Sequence, residues 1–416
     1  MDNTISELDD IAPNKEQLKI LMLCWEFPPN VIGGLSRHVF GLSVHLAQTG
    51  HEVHVLTAGN GNLPLDELIE GVYVHRVKPI NENDENFFSW IGGLNLAMAF
   101  RAEKLSEEIL FDLIHAHDWL VGSAAIVLKE SLELPLLSTI HATEYGRNNG
   151  IHNENQQFIH NQEHQLIGES DHIIVCSDYM KNVLHTIFKT KNEKMVILPN
   201  GIDPLKPNFK TEDIFPELKG KKYIFSLGRI VKEKGFETII RAAAIAKKRN
   251  VDWIFVVAGK GPMLETYRQR ISEMKLESHV RFIGYVNDEQ RNALIAGSEL
   301  AVIPSLYEPF GIVVLETMIL GKPTVVSNTG GMKGIVKHLN TGLLMTPGDE
   351  RSMLDQIDYL EKHPFKAEEI GKRGRKIVTS LYGWKRIAIE TSRVMEDTLL
   401  KKRVSSSESN ATLNNQ

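Results

Sequence analysis

Two glutamates, Glu308 and Glu316, stand with seven residues between them in the segment Glu308-Pro309-Phe310-Gly311-Ile312-Val313-Val314-Leu315-Glu316. The spacing allows a definite chemistry. An apolar strand over 300–303 and a loop to Pro309 precede Gly311, which opens an apolar helix ending near Gly321-Lys322-Pro323. The free amides at that helix start, from Gly311 and Ile312 onward, form an anion site. Glu316 falls about one turn inside, where its carboxylate can accept from two neighbouring sugar hydroxyls. Glu308 lies before the helix, on the other side of the anion. One short segment can thus hold the ribose, phosphate and sugar of a nucleotide sugar in order. The plainer alternative is a capped amphipathic helix with two solvated carboxylates.

Other segments carry matching chemistry. Gly228-Arg229-Ile230-Val231-Lys232-Glu233-Lys234-Gly235 follows a strand, so Arg229 and Lys234 can converge on one diphosphate, Arg as a planar fork and Lys as a point charge. A solvated basic loop is the alternative. Gly33 and Gly34 lie between the first strand and the first helix, where missing side chains let backbone approach a ligand, or merely form the turn. His115-Ala116-His117-Asp118-Trp119 and Ser138-Thr139-Ile140-His141 each end a strand. There His141 and Asp118 suit sugar hydroxyls, although a strand-end His often serves backbone groups instead. Metal ligation by His115, His117 and His141 is open, yet no Cys pair, H-E-x-x-H or D-x-D occurs, and the expected catalytic metal is none.

The elements that position these residues alternate strand and helix from end to end. In the first half, strands are expected at 19–24, 52–57, 72–77, 112–115, 136–140 and 172–175; in the second, at 222–227, 253–258, 280–283, 300–303 and 324–327. The first helix should run from Ser36, as N-cap, to Gln48, with a left-handed turn at Gly50. Pro199-Asn200-Gly201-Ile202-Asp203-Pro204 reads as a linker. The expected division is a disordered tail over 1–17, one domain over 18–198, a second over 199–383, a helix over 384–403 packing back on the first domain, and a disordered tail over 404–416.

A length of 416 residues with 42% hydrophobic and 24% charged content suits two globular domains. The net charge of −6 is unevenly spread: residues 18–198 hold 12 Lys and Arg against 22 Asp and Glu, whereas residues 199–403 hold 34 against 25. A basic second half suits an anionic ligand and an acidic first half an uncharged one, unless the halves simply attract each other. No basic face with interleaved aromatics argues for nucleic acid, and no stretch of about eighteen apolar residues argues for a membrane span. Cys24 and Cys176 read as reduced core residues, which fits a cytoplasmic protein.

Taken together, these motifs resemble the retaining, nucleotide-sugar-dependent glycosyltransferases of the GT-B fold, in the large family containing sucrose synthases, mannosyltransferases and some glycogen synthases. The resemblance covers about residues 18–400. It rests on Gly33-Gly34, Pro199-Asn200-Gly201-Ile202-Asp203, Gly228-Arg229 with Lys234-Gly235, Glu308 with Glu316, and Tyr382-Gly383-Trp384. Cys24-Trp25-Glu26-Phe27-Pro28-Pro29 and His141-Ala142-Thr143-Glu144-Tyr145-Gly146-Arg147 look closest to the glycogen-synthase-like and maltose-1-phosphate-synthase-like branch.

The resemblance implies an α/β GT-B fold, two Rossmann-like parallel-sheet domains with an interdomain cleft. It implies that Arg229 and Lys234 neutralise the donor diphosphate and that Glu316 binds the ribose. Glu308, with backbone of Gly311 and Ile312, would hold the transferred sugar and phosphate, and His141 and Asp118 would meet that sugar from the first domain. The implied partners are a nucleotide sugar, ADP- or UDP-glucose in the first place, and a carbohydrate acceptor such as an α-glucan or sugar phosphate. No cofactor is implied, and a homo-oligomer is left open. The rival readings are a transferase of cell-surface polysaccharide or glycolipid synthesis, an epimerase on the same fold, and a silent carbohydrate-binding protein.

Overall fold

The computed structural model describes residues 17–413, apart from 32, 60 and 252. The tail expected over 1–17 therefore lies, but for Gln17, outside the described residues. Short β-branched and apolar runs form two sheets. The first comprises β1 (Lys19–Leu23), β2 (Glu52–Ala58), β3 (Asp66–Ile69), β4 (Val72–Val77), β5 (Leu113–His117), β6 (Leu136–Ile140), β7 (His172–Val175) and β8 (Met195–Ile197) in the order β3-β4-β2-β1-β5-β6-β7-β8. All its pairings are parallel except β3 with β4. The second comprises β9 (Tyr223–Leu227), β10 (Ile254–Ala258), β11 (Val280–Gly284), β12 (Leu300–Ile303), β13 (Thr324–Ser327) and β14 (Leu343–Met345), wholly parallel, in the order β11-β10-β9-β12-β13-β14.

The central strands are buried on both faces, as parallel sheets covered by helices must be. The three strands the sequence reading misses, β3, β8 and β14, have three or four residues each, too few for a period to register. Both Cys24 and Cys176 are free, buried thiols, and burial pushes each up to about 12.

Strand order fixes where a ligand crevice can form. In each sheet the order reverses between two central neighbours, β1 and β5 in the first and β9 and β12 in the second. Crevices open at the carboxyl ends of such strand pairs. Gly33-Gly34 follows β1, Asp118 follows β5, Arg229 follows β9, and Glu308 follows β12. Four separated motifs are brought to two switch points by topology alone.

Two expectations differ from the structure. Helix Gly34–Gln48 starts ahead of Ser36, with Gly33 as its N-cap residue and no side-chain cap of its own. Glu26 takes that role from a distance: its carboxylate accepts from Gly33 N–H and Ser36 N–H, each at 3.3 Å. At the other end, the C-terminal helix Trp384–Leu413 runs past residue 403, so the disordered tail expected from 404 is helical in its backbone as far as Leu413. Trp384, Ile387, Ala388, Val394 and Met395 pack with Leu18, Ile20, Val39 and Leu42 of the first domain. That anchorage gives the helix a nucleus to extend from.

Candidate active site

Each functional side chain is set by a local device. Gly235, at φ +67, ends the 3₁₀ turn Lys232–Lys234, and a Cβ there would overlap Pro304 O. The close approach lets Leu306 and Tyr307 N–H donate to Glu233 O at 2.8 and 3.2 Å, lacing the Lys234 loop to the Glu308 loop. Lys234 Nζ then reaches Glu308 Oε2 at 2.7 Å, and Ser305 Oγ donates to the same oxygen at 3.2 Å. Arg229 is exposed and makes no ion pair among the described residues, so its guanidinium is uncommitted. The two cations expected to act together thus start from different states.

Gly311, at φ +114, caps helix Ile312–Ile319. Val314 and Leu315 N–H turn back to Gly311 O at 2.9 and 3.4 Å, while the first-turn amides of Ile312 and Val313 have no partner inside the helix. Glu316, in that helix and 5% exposed, accepts from Arg37 Nη1 at 2.9 Å and lies 3.2 Å from Arg291 Nη1, both on Oε1. Arg37 and Arg291 also pair with Asp288 at 2.7 and 2.9 Å. Burial pushes the Glu316 carboxyl up to about 7, against the pull of Arg37.

On the first domain, Asp118 is buried with a backbone at φ +61, ψ 171, a region costly to any residue but glycine. Its carboxylate accepts His141 N–H at 2.7 Å, so it fixes the loop that carries His141. Burial pushes Asp118 up to about 6. His141 Nε2 lies 3.1 Å from His117 Nδ1, and burial lowers His141 to about 3. The imidazole is neutral, and with Nε2 facing His117 its Nδ1 is the ring nitrogen left for a hydroxyl. Glu163, on helix Glu154–Glu169, accepts Glu144 N–H at 2.7 Å and is pushed up to about 8, again chiefly by burial.

The two domains meet on these loops. Ser177 Oγ donates to Pro309 O at 2.7 Å, Thr143 N–H to Tyr307 Oη at 3.3 Å, and a Cβ on Gly34 would lie 3.1 Å from Ile312 Cδ1. The glycine pair therefore sits against the start of helix Ile312–Ile319. Both Asp118 and Glu308 act electrostatically on the Cys176 thiol, one from each domain. The arrangement is a cleft with cations, amides and paired glutamates on one wall and a neutral imidazole on the other.

Residues 32–205 match the family described as Glycosyltransferase Family 4, and residues 209–377 match Glycosyl transferases group 1. An uncharacterized glycosyltransferase of Methanocaldococcus jannaschii is 34% identical over 392 residues, covering 91% of this chain and 97% of that protein. The chain is a GT-B glycosyltransferase of the group 1 family. The transferase is also 32% identical to the glycogen synthase of Mycobacterium tuberculosis, over 91% of this chain and 94% of that one. Its fold is like that of sucrose-phosphate synthase from Thermosynechococcus elongatus, with a TM-score of 0.81 at 23% identity, covering 92% of this chain and all of the other.

The transferase holds a cleft of about 630 Å³ between its domains, lined by Arg37, Tyr285, Asp288, Arg291, Glu316 and Trp384 among others. Glu316 lines it, whereas Glu308, Lys234, Arg229 and Asp118 do not. Sequence reasoning missed Arg37, Asp288, Arg291 and Glu163. Arg37 alone had a usable signal, three residues beyond the glycine pair at the same helix start. Of the three histidines read at the strand ends, His115 stands apart. His38, His117 and His141 converge, while His115 Nε2 is taken by Thr139 Oγ1 at 2.8 Å. No described helix is long and apolar enough to cross a membrane.

Proposed function

We propose that this glycosyltransferase moves a glucosyl group, with retention of anomeric configuration, from a nucleotide-diphosphate sugar to a carbohydrate acceptor, an α-glucan or a sugar phosphate. The observation that carries the reading is the single segment on which Glu308 is held by Lys234, the helix start at Gly311-Ile312 is open, and Glu316 lies one turn further in. That order matches the order sugar, phosphate, ribose. The glycogen synthase relative supports a glucosyl donor and a glucan acceptor.

In this reading Arg229, Lys234 and the amides of Ile312 and Val313 take up the charge that grows on the departing diphosphate. The anomeric C–O bond to that diphosphate breaks as the acceptor oxygen bonds to the same face. The acceptor proton passes to the leaving phosphate oxygen, so no enzyme nucleophile is required. His141, positioned through Asp118, meets the transferred sugar. Glu308 orients the sugar and Glu316 the ribose. Because side-chain cations neutralise the diphosphate, catalysis is expected to proceed in excess EDTA.

A panel of ADP-, UDP- and GDP-sugars against maltooligosaccharide, glycogen and glucose 1-phosphate, with linkage analysis, tests the proposal. Transfer with an α-linked product supports it. Donor turnover without any acceptor, or loss of activity in EDTA restored by Mn²⁺ or Mg²⁺, overturns it.

A further inference from the structure

Three imidazoles converge on the acceptor-side wall, and hydrogen bonding accounts for only one contact among them, between His117 and His141. His38 comes from helix Gly34–Gln48, His117 from the end of β5 and His141 from the loop after β6. Each offers a ring nitrogen, and these nitrogens all lie within 4.8 Å of one another. His117 Nδ1 and His141 Nε2 are 3.1 Å apart. Two nitrogens bound tetrahedrally to one zinc ion at about 2.0–2.1 Å stand roughly 3.4 Å apart, so this pair is already near ligand spacing.

The remaining ring atoms are poorly served. Both nitrogens of His38 and Nε2 of His117 are buried without a well-formed hydrogen bond, and Asn200 Oδ1, which faces His38, is likewise unsatisfied. Leaving such groups unpaired is costly unless something else uses their lone pairs. A neutral imidazole is the form that binds a metal.

A second histidine group lacks these features. In the chain Glu52, His54, His75, Asp66, every ring nitrogen already has a partner, at 3.0 Å from Glu52 to His54, 3.0 Å between the rings and 2.6 Å from His75 to Asp66.

We propose that His38, His117 and His141 form a binding site for a divalent transition metal of the zinc class, with its open coordination position toward the interdomain cleft that His38 lines. The site is distinct from the diphosphate subsite, which Arg229 and Lys234 serve. Its consequence rests on the function proposed above: an ion on His141 removes that imidazole from the transferred sugar, so occupancy inhibits transfer reversibly.

The test is calorimetric titration of the chelator-stripped full chain with ZnCl₂. One ion per chain is expected, with affinity falling about tenfold or more in His38→Gln and in His117→Gln and unchanged in His54→Gln. Absence of stoichiometric binding, or equal affinity in His38→Gln, overturns the site. Should His117→Gln fail to fold, His38→Gln, at the cleft wall, decides the matter, with circular dichroism to confirm its fold. Under assay, Zn²⁺ should inhibit the wild type at the concentration that fills the site and inhibit His38→Gln about tenfold more weakly; binding without inhibition overturns the regulatory consequence. Failure of the glycosyl-transfer reading would show instead as no turnover with any donor, which leaves the calorimetry unaffected.

Discussion

Arg37 Nη1, on the first helix of one domain, donates to Glu316 Oε1, in helix Ile312–Ile319 of the other, at 2.9 Å. Arg291 approaches the same oxygen. Oε2 is thereby the acceptor that the proposed ribose contact would use, and the two arginines position it. Arg291 is 5% exposed at its side chain and Arg37 is 38%, which separates their effects. Arg291→Ala removes a partner from a buried carboxylate and should destabilise the protein by about 3 kcal/mol. Arg37→Ala should change stability by less than about 1 kcal/mol yet raise the donor KM, because it loosens the clasp between domains. Thermal unfolding and steady-state kinetics on both variants check this; equal stability losses would contradict it.

Glu316 also sets a pH dependence. Its folded-state value, raised to about 7 from 4.5, means the folded protein binds that proton more tightly than the unfolded chain. The stability it contributes is fully present below about 4.5 and is lost as pH rises through 7. Donor binding should run the other way, since an ionised carboxylate accepts from the ribose more strongly. Nucleotide affinity is therefore expected to increase between pH 6 and about pH 8, and Glu316→Gln should flatten that part of the profile. Titration of nucleotide into both proteins across the range measures it.

The fold was legible where a strand was long enough to show its run of apolar residues. The eleven expected strands all appear. β3, with its polar Asp66-Glu67-Leu68-Ile69, and the three-residue β8 and β14 carry no such pattern. Glu308, Lys234 and the helix start were readable because they sit within a few residues of glycines that punctuate strand-to-helix turns. Arg291 and Glu163 were not, since each lies in the body of a helix and meets the crevice only through packing between distant segments. Asp118 was named as a sugar contact, but its positive φ and its bond to His141 N–H show a bracing role that spacing alone cannot express.

Arg229 and Lys234 are expected to differ in what else they support. Arg229 is uncommitted, so Arg229→Ala should leave the melting temperature unchanged while lowering kcat at least about a hundredfold, the effect of removing about 3 kcal/mol of charge stabilisation. Lys234→Ala removes the same stabilisation and also strips Glu308 of its 2.7 Å partner. It should lose comparable turnover and unfold at lower temperature. Near-normal turnover in either variant would remove that residue from the diphosphate subsite.

Trp384 joins three elements at the closing segment. Its buried ring lies against Gly41 of the first helix and Gly201 of the linker, so closely that a Cβ on either glycine would overlap it. Ile202 N–H donates to Tyr382 O at 2.7 Å beside this contact. Gly201→Ala should therefore destabilise by about 1–3 kcal/mol through overpacking, and Trp384→Leu by about 2–4 kcal/mol through the cavity it leaves. The two sites share one space, so their effects should not add: a methyl at 201 fits once the indole is gone. The double variant is expected to be more stable than the sum of the single losses predicts, by at least about 1 kcal/mol. Chemical denaturation of the four proteins gives the coupling directly, and strict additivity would show that the ring and the linker do not bear on each other.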